Sequence, residues 1–115
     1  MPHATNTRLF TYGTLAPGRK NHHLLQALAG HWQTGTVKGQ LIEAGWASAD
    51  GYPAMRPDSQ GIPIHGFLLH SLELPDLWAS LDAFEGNDYQ RIPIEVECEN
   101  GDVVMAFIYA LAPDK

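Results

Sequence analysis

The stretch Arg91–Leu111 constrains the fold more than any other part of the chain. Ile92, Ile94, Val96 and Cys98 alternate with other residues and so line one face of a strand over Arg91 to Cys98. Asn100-Gly101 follows, the strongest hairpin signal in the sequence, since both residue types accept positive φ. Val103 to Leu111 is then the return strand. Three further runs have strand character. Arg8 to Tyr12 reads as a buried first strand ending at Gly13. Trp32 to Ile42 carries strand residues broken by Gly35 and Gly39, which predict bulges or tight bends in a small curled sheet. Ile62 to His70 is the next strand.

Helical signals are fewer. Asn21 is placed to cap a short helix over His22 to Ala29, with Leu24, Leu25 and Leu28 on one face and Gly30 as the stop. Pro75 suits the first position of a second helix running to Glu85. Ala16 to Lys20 is a polar loop. Gly45 to Gly61, rich in Gly, Pro, Ser and Asp, reads as loop with a short extended piece at Tyr52 to Met55. No repeat, low-complexity tract or linker divides the sequence, so residues 1–115 are expected to form one domain. Strands outnumber helices and the chain closes on a hairpin. This predicts an α+β fold, a small mixed β-barrel or strongly curled sheet with a few packed helices.

A chain of 115 residues can bury a core without staples, and 44% hydrophobic with 17% charged residues is a globular composition. Net charge is −6 and the seven Lys and Arg are scattered, so there is no basic stripe to neutralise phosphates and no nucleic-acid partner is expected. Any anion site must be built locally, from backbone donors or a placed cation. Cys98 is the only cysteine, which excludes an internal disulfide. No apolar stretch approaches the length of a membrane span, and residues 1–6 lack the regions of a secretory signal. The expectation is a cytoplasmic protein without membrane association, a monomer or weak homodimer.

Two segments carry chemistry. On a wheel of about 100° per residue, Leu77, Trp78, Leu81 and Phe84 form the buried stripe of the second helix. Glu85 falls within that stripe, while Asp76 and Asp82 fall outside it toward solvent. A carboxyl placed among apolar side chains in the last turn of a helix, with Gly86 as the stop, is held away from its ionised form by burial and by the helix dipole. That tunes it to act as a base near neutral pH; the alternative is a frayed helix end with Glu85 turned out to water. The second segment is the turn Tyr12-Gly13-Thr14-Leu15 after the first strand. It can aim the N–H groups of Gly13, Thr14 and Leu15, with the Thr14 hydroxyl, at a carboxylate or oxyanion. Alternatively it is simply a strand end. Among the six histidines, His22-His23 are adjacent and His65 and His70 lie on opposite faces of a strand, so no metal site is expected. Cys98, flanked by Glu97 and Glu99, is expected to be core filler rather than a nucleophile.

Taken together, these residues resemble the γ-glutamylcyclotransferase superfamily, which includes the AIG2-like proteins. The resemblance is carried by Leu9-Phe10-Thr11-Tyr12-Gly13-Thr14-Leu15, Val37-Lys38-Gly39-Gln40-Leu41, Gly51-Tyr52-Pro53-Ala54 and Ile64-His65-Gly66. Further on, Leu81-Asp82-Ala83-Phe84-Glu85-Gly86, Tyr89-Gln90-Arg91 and the late Tyr109 complete it. The run from Tyr12 to His22 is similar to the γ-glutamylamine cyclotransferase branch. One departure is that Gly66 is followed by Phe67-Leu68-Leu69, where the family often has a Glu and a Tyr. The resemblance implies a small barrel with packed helices and conversion of a γ-glutamyl amine or amino acid to 5-oxoproline and free amine, without cofactor or metal. It implies that Glu85 is the general base, that Tyr12, Gly13, Thr14 and Leu15 hold the substrate, and that Tyr89 and Arg91 form a wall or support beside it. The rival expectation is a non-catalytic module that binds a small acid or a protein partner on the same fold. Hydrolysis by a pair of carboxylates is disfavoured, because no second acid shares the face of Glu85.

Overall fold

A computed structural model describes residues 5–13, 25–26, 28–42 and 54–112. Six strands and one α-helix organise them: β1 (Arg8–Thr11), β2 (His31–Ile42), β3 (Ala54–Pro57), β4 (Ile62–His70), α1 (Trp78–Glu85), β5 (Tyr89–Cys98) and β6 (Val103–Leu111). The sheet runs β3-β2-β4-β1-β6-β5, and β5 also returns to β2. Strands β2, β4, β1, β6 and β5 therefore close into a small mixed barrel of five strands, with β3 added to the far half of β2. All pairings are antiparallel except β1 with β6, where Leu9 and Phe10 lie parallel to Phe107 and Ile108.

Closure rests on the pairs Gly35–Cys98 and Thr36–Glu97. Glu99 extends this seam. Its N–H donates to the Thr34 carbonyl at 3.1 Å, and its carboxylate accepts from the Thr34 N–H at 2.8 Å and the Thr34 hydroxyl at 2.6 Å. The glycines of β2 thus sit at structural junctions, Gly35 at the seam and Gly39 where β2 passes from β4 to β3.

Two cores follow from the alternation of side chains. Phe10, Val37, Ile64, Leu68, Val96, Cys98, Ala106 and Ile108 fill the barrel, and Ile92 and Ile94 pack against them, which is the face expected of β5. Leu9, Leu69 and Tyr109 point the other way and meet Leu74, Trp78 and Leu81 of the helical layer. Strand β1 is buried on both faces, with Leu9 and Phe10 at its centre and the buried Arg8 and Thr11 at its ends. The barrel is narrow. A Cβ on Gly66 would lie 2.4 Å from the Thr11 carbonyl oxygen and 2.6 Å from the Phe10 ring, so the phenyl occupies the space a side chain would need.

The structure sharpens four local expectations, and the hairpin strands end at Cys98 and resume at Val103 as expected. The second helix is shorter than expected: Leu74–Asp76 is a 3-10 turn and regular α-helix begins at Trp78. Leu77, at the N-cap, offers no side-chain acceptor to start it sooner. The Asn-Gly hairpin uses a three-residue loop. Gly101 donates to the Cys98 carbonyl at 2.9 Å and takes φ +92°, while the Asn100 side chain accepts from the Asp102 N–H. Part of the Gly45–Gly61 loop is strand β3. Its edge position accommodates Pro57, which has no ladder N–H to give. Finally, the first strand ends at Thr11 rather than Tyr12. Half of the helix expected over His22 to Ala29 lies outside the described residues; of the rest, Leu25 and Gln26 form a turn and Leu28 a bend, not helix. Leu25 is fully buried and Leu28 packs against the second core, the face assigned to them. The loop Ala16–Lys20 also lies outside the described residues.

Candidate active site

The site is built where the end of β1 meets the C-terminal end of α1. Helix α1 runs only eight residues, too short to be stable alone, so its apolar face must hold it. Trp78 and Leu81 are buried, Leu77 and Phe84 half-buried, and Asp76 and Asp82 exposed, as the wheel predicts. Glu85 completes the buried stripe at 7% exposure. Burial pushes its carboxyl from 4.5 up to about 7. Gly86 then ends the helix with φ +74°, a region that favours glycine, and its N–H donates to the Asp82 carbonyl.

Tyr12 follows β1 and reaches across the barrel mouth. Its hydroxyl donates to the Tyr109 carbonyl at 2.7 Å and accepts from the Met55 N–H at 3.2 Å. Burial, partly offset by the Met55 N–H, holds this phenol well above the usual range, and the charges of Glu85 and Tyr89 push it the same way. The Tyr109 phenol is raised as well, by burial first, then by its bond to Asp82 and the neighbouring carboxylates, Glu85 included. Tyr12 and Tyr109 thus share the surroundings of Glu85. Gly13 stands next to Tyr12, and a Cβ built there would meet no atom within 4 Å, so space opens beside its backbone. Thr14 and Leu15 lie outside the described residues.

Tyr89 is half-buried and packs against the second core beside α1. Arg91 is held elsewhere. Its guanidinium grips Asp82 through two bonds of 2.8 and 3.1 Å and lies 4.6 Å from the ring centroids of both Trp78 and Phe107. The Tyr109 hydroxyl donates to the same Asp82 carboxylate at 2.6 Å. Asp82 is accordingly held below the usual carboxylate range, chiefly by Arg91. The structure therefore sets Tyr12 within electrostatic reach of Glu85, with Gly13 next to it in the chain, and gives Arg91 to Asp82 and two aromatic rings. Sequence reasoning missed the Met55 N–H and the role of Asp82. The wheel places Asp82 toward solvent, correctly, but cannot show what crosses from β5 and β6 to meet it.

Cys98 faces the barrel core with its thiol pushed up, by burial first and then by Asp102, with Arg8 opposing and Glu99 adding a smaller push. Among the described residues no group of three His, Cys, Asp or Glu side chains is arranged to hold a metal ion, and no helix is long and apolar enough to cross a membrane. The arrangement offers a buried carboxyl poised near neutral pH, a neighbouring tyrosine and an open backbone edge, which suits proton transfer on a small polar molecule.

Comparison with known proteins fits this geometry. The family model described as "Gamma-glutamyl cyclotransferase, AIG2-like" matches residues 9–115. The chain is similar to the crystal structure of YkqA from Bacillus subtilis, with 30% identity over 91% of this chain, 35% of that chain and a TM-score of 0.70. It spans only about a third of that protein's length. It is also similar to an AIG2-like protein from mouse, with 25% identity, 94% of this chain, 80% of that chain and a TM-score of 0.67. A yeast γ-glutamyl cyclotransferase specific to glutathione shares the fold at 12% identity, with 90% of this chain, 68% of that chain and a TM-score of 0.61. No curated protein gives a significant match.

Proposed function

The chain belongs to the γ-glutamyl cyclotransferase, AIG2-like family, and from that premise we propose that it releases 5-oxoproline from a γ-glutamyl amine or γ-glutamyl amino acid. The observation that carries this reading is Glu85, a carboxyl 7% exposed in an apolar stripe and poised at about 7, beside the tyrosine that leads into the turn. The reaction is intramolecular aminolysis. The N–H groups of Gly13, Thr14 and Leu15 receive the substrate's α-carboxylate or the developing oxyanion. Glu85 takes a proton from the α-ammonium, and the freed amine attacks the γ-carbonyl to close a five-membered ring. The C–N bond to the leaving amine breaks as Glu85 returns the proton to it. Nucleophile and electrophile already belong to one molecule, so a folded pose, a base and an oxyanion site suffice. Tyr89 lines the wall of this site and Arg91 supports it from behind. The similarity of the Tyr12–His22 run to the γ-glutamylamine branch makes a γ-glutamyl amine the first substrate to try.

A module that only binds a small acid would gain nothing from a buried carboxyl next to its anion. The deciding experiment incubates the purified protein with a panel of γ-glutamyl amines, amino acids and dipeptides, glutathione among them, and reads 5-oxoproline. Release from at least one class is expected. A panel with no release, on protein shown to be folded, would refute the enzyme reading.

A further inference from the structure

Tyr109 touches both halves of the site. Its main-chain carbonyl accepts the Tyr12 hydroxyl at 2.7 Å, and its own hydroxyl donates to Asp82 at 2.6 Å. Asp82 in turn lies three residues before Glu85, in the same last turns of the helix but on its exposed side. Asp82 is fixed twice. Its carboxylate is held by Tyr109 and Arg91, and its backbone carbonyl accepts the Gly86 N–H, which closes the turn containing Glu85. Arg91 cannot swing away easily, because Trp78 and Phe107, themselves edge to face at 5.3 Å, flank its guanidinium. A helix of eight residues with no side-chain N-cap has little rigidity of its own. The place of its last turn is set by what grips it, and one such grip is this one, with a charged, bidentate and stacked partner.

We propose that Tyr109 and Asp82 act as a pair of positioning residues that fix the carboxylate of Glu85 relative to Tyr12. The inference rests on the proposed cyclotransferase reading and adds to it a source of precision outside the reacting atoms. Neither residue need touch substrate. The pair joins β6, which holds Tyr12, to α1, which carries the base, so that the two move as one unit.

The test uses Tyr109→Phe, Asp82→Asn, the double variant and, as a control for lost charge on an exposed neighbouring segment, Asp76→Asn. Tyr109→Phe keeps the carbonyl that holds Tyr12, so substrate binding should survive while the base drifts. The expected result is a kcat lowered roughly 10- to 100-fold with KM changed by less than about twofold. The double variant should be no slower than the slower single variant, because each substitution breaks the same link. Asp76→Asn should match the parent protein. Unchanged kcat, a loss confined to KM, or multiplying effects in the double variant would overturn the proposal. Asp82 is half-exposed, so Asp82→Asn serves where Tyr109→Phe folds poorly. A readout independent of turnover is the titration of the Glu85 carboxyl by 13C NMR. Among the described residues, Tyr12 and Tyr109 feel the charge of Glu85, and Asp82, held by Arg91, stands on the same helix. Loosening the last turn admits water, so the midpoint near 7 should fall by about one unit or more in either variant. An unmoved midpoint refutes the positioning role even if the panel shows no turnover, whereas an inactive parent with a moved midpoint refutes the enzyme reading alone.

Discussion

Replacing Glu85 by glutamine should cost activity and gain stability, and the gain should depend on pH in a defined way. The carboxyl is raised from 4.5 to about 7 by burial, so the folded state holds its proton more tightly than the unfolded chain does. Between those values the native protein binds more protons, and stability falls as pH rises. The contribution is fully present below about 4.5 and lost by the time pH passes about 7. At about 1.4 kcal/mol per unit, the loss amounts to about 3 kcal/mol. Glutamine keeps the shape and carries no charge, so the variant escapes this loss. Urea unfolding of both proteins at pH 4 and pH 8 isolates the effect, because all other groups are common to both. With a slope of about 1–3 kcal/mol per molar urea, the variant's midpoint should gain about 1–3 M on the parent between the two pH values. Turnover should fall by roughly 10²–10⁴-fold, the usual consequence of losing a general base. A stability difference that stays flat from pH 4 to pH 8 would show that Glu85 is not held in a dry site and would undo the reasoning from burial to basicity.

Three further outcomes are expected. The pH dependence of kcat/KM should rise through a midpoint near 7 as Glu85 ionises, and a profile flat down to pH 5 would contradict its role as base. Tyr12→Phe leaves the buried Met55 N–H and the Tyr109 carbonyl without the hydroxyl that joins them. It should cost about 1–3 kcal/mol by urea unfolding. Gly66→Ala forces a methyl against the Thr11 carbonyl and the Phe10 ring and should cost about 1–3 kcal/mol, read in the same way.

Much of this architecture could be read from the chain because strand alternation reports directly which face is buried. Ile92, Ile94 and Val96 announced the barrel face of β5, and Leu81, Phe84 and Glu85 announced the inner face of α1. What the sequence hid was of another kind. Strand β3 is legible only in part: the sequence places an extended piece at Tyr52 to Met55, and pairing with β2 carries the strand on to Pro57 at an edge. The Asp82–Arg91–Tyr109 contact joins three elements, and no local pattern encodes a meeting between residues 27 positions apart. Arg91 shows the difference clearly. Its position just after the base suggests a place at the substrate, while its geometry gives it to Asp82 and two aromatic rings.

The seam that closes the barrel has a kinetic consequence. Two residue pairs and the side chain of Glu99 join strands whose members lie 65 positions apart, whereas neighbouring ladders are longer. Like the two-pair contact of β1 with β6, this junction closes a long loop with few bonds to repay it, so it forms late in folding and breathes early. Its carboxylate is held below the usual range by Thr34, which makes the fastening strongest when ionised and weaker as acid protonates it. Opening there parts β2 from β5 at Gly35 and Thr36, a ladder that contains no residue of the helix carrying Glu85. The barrel is therefore expected to exchange its amides early at this seam.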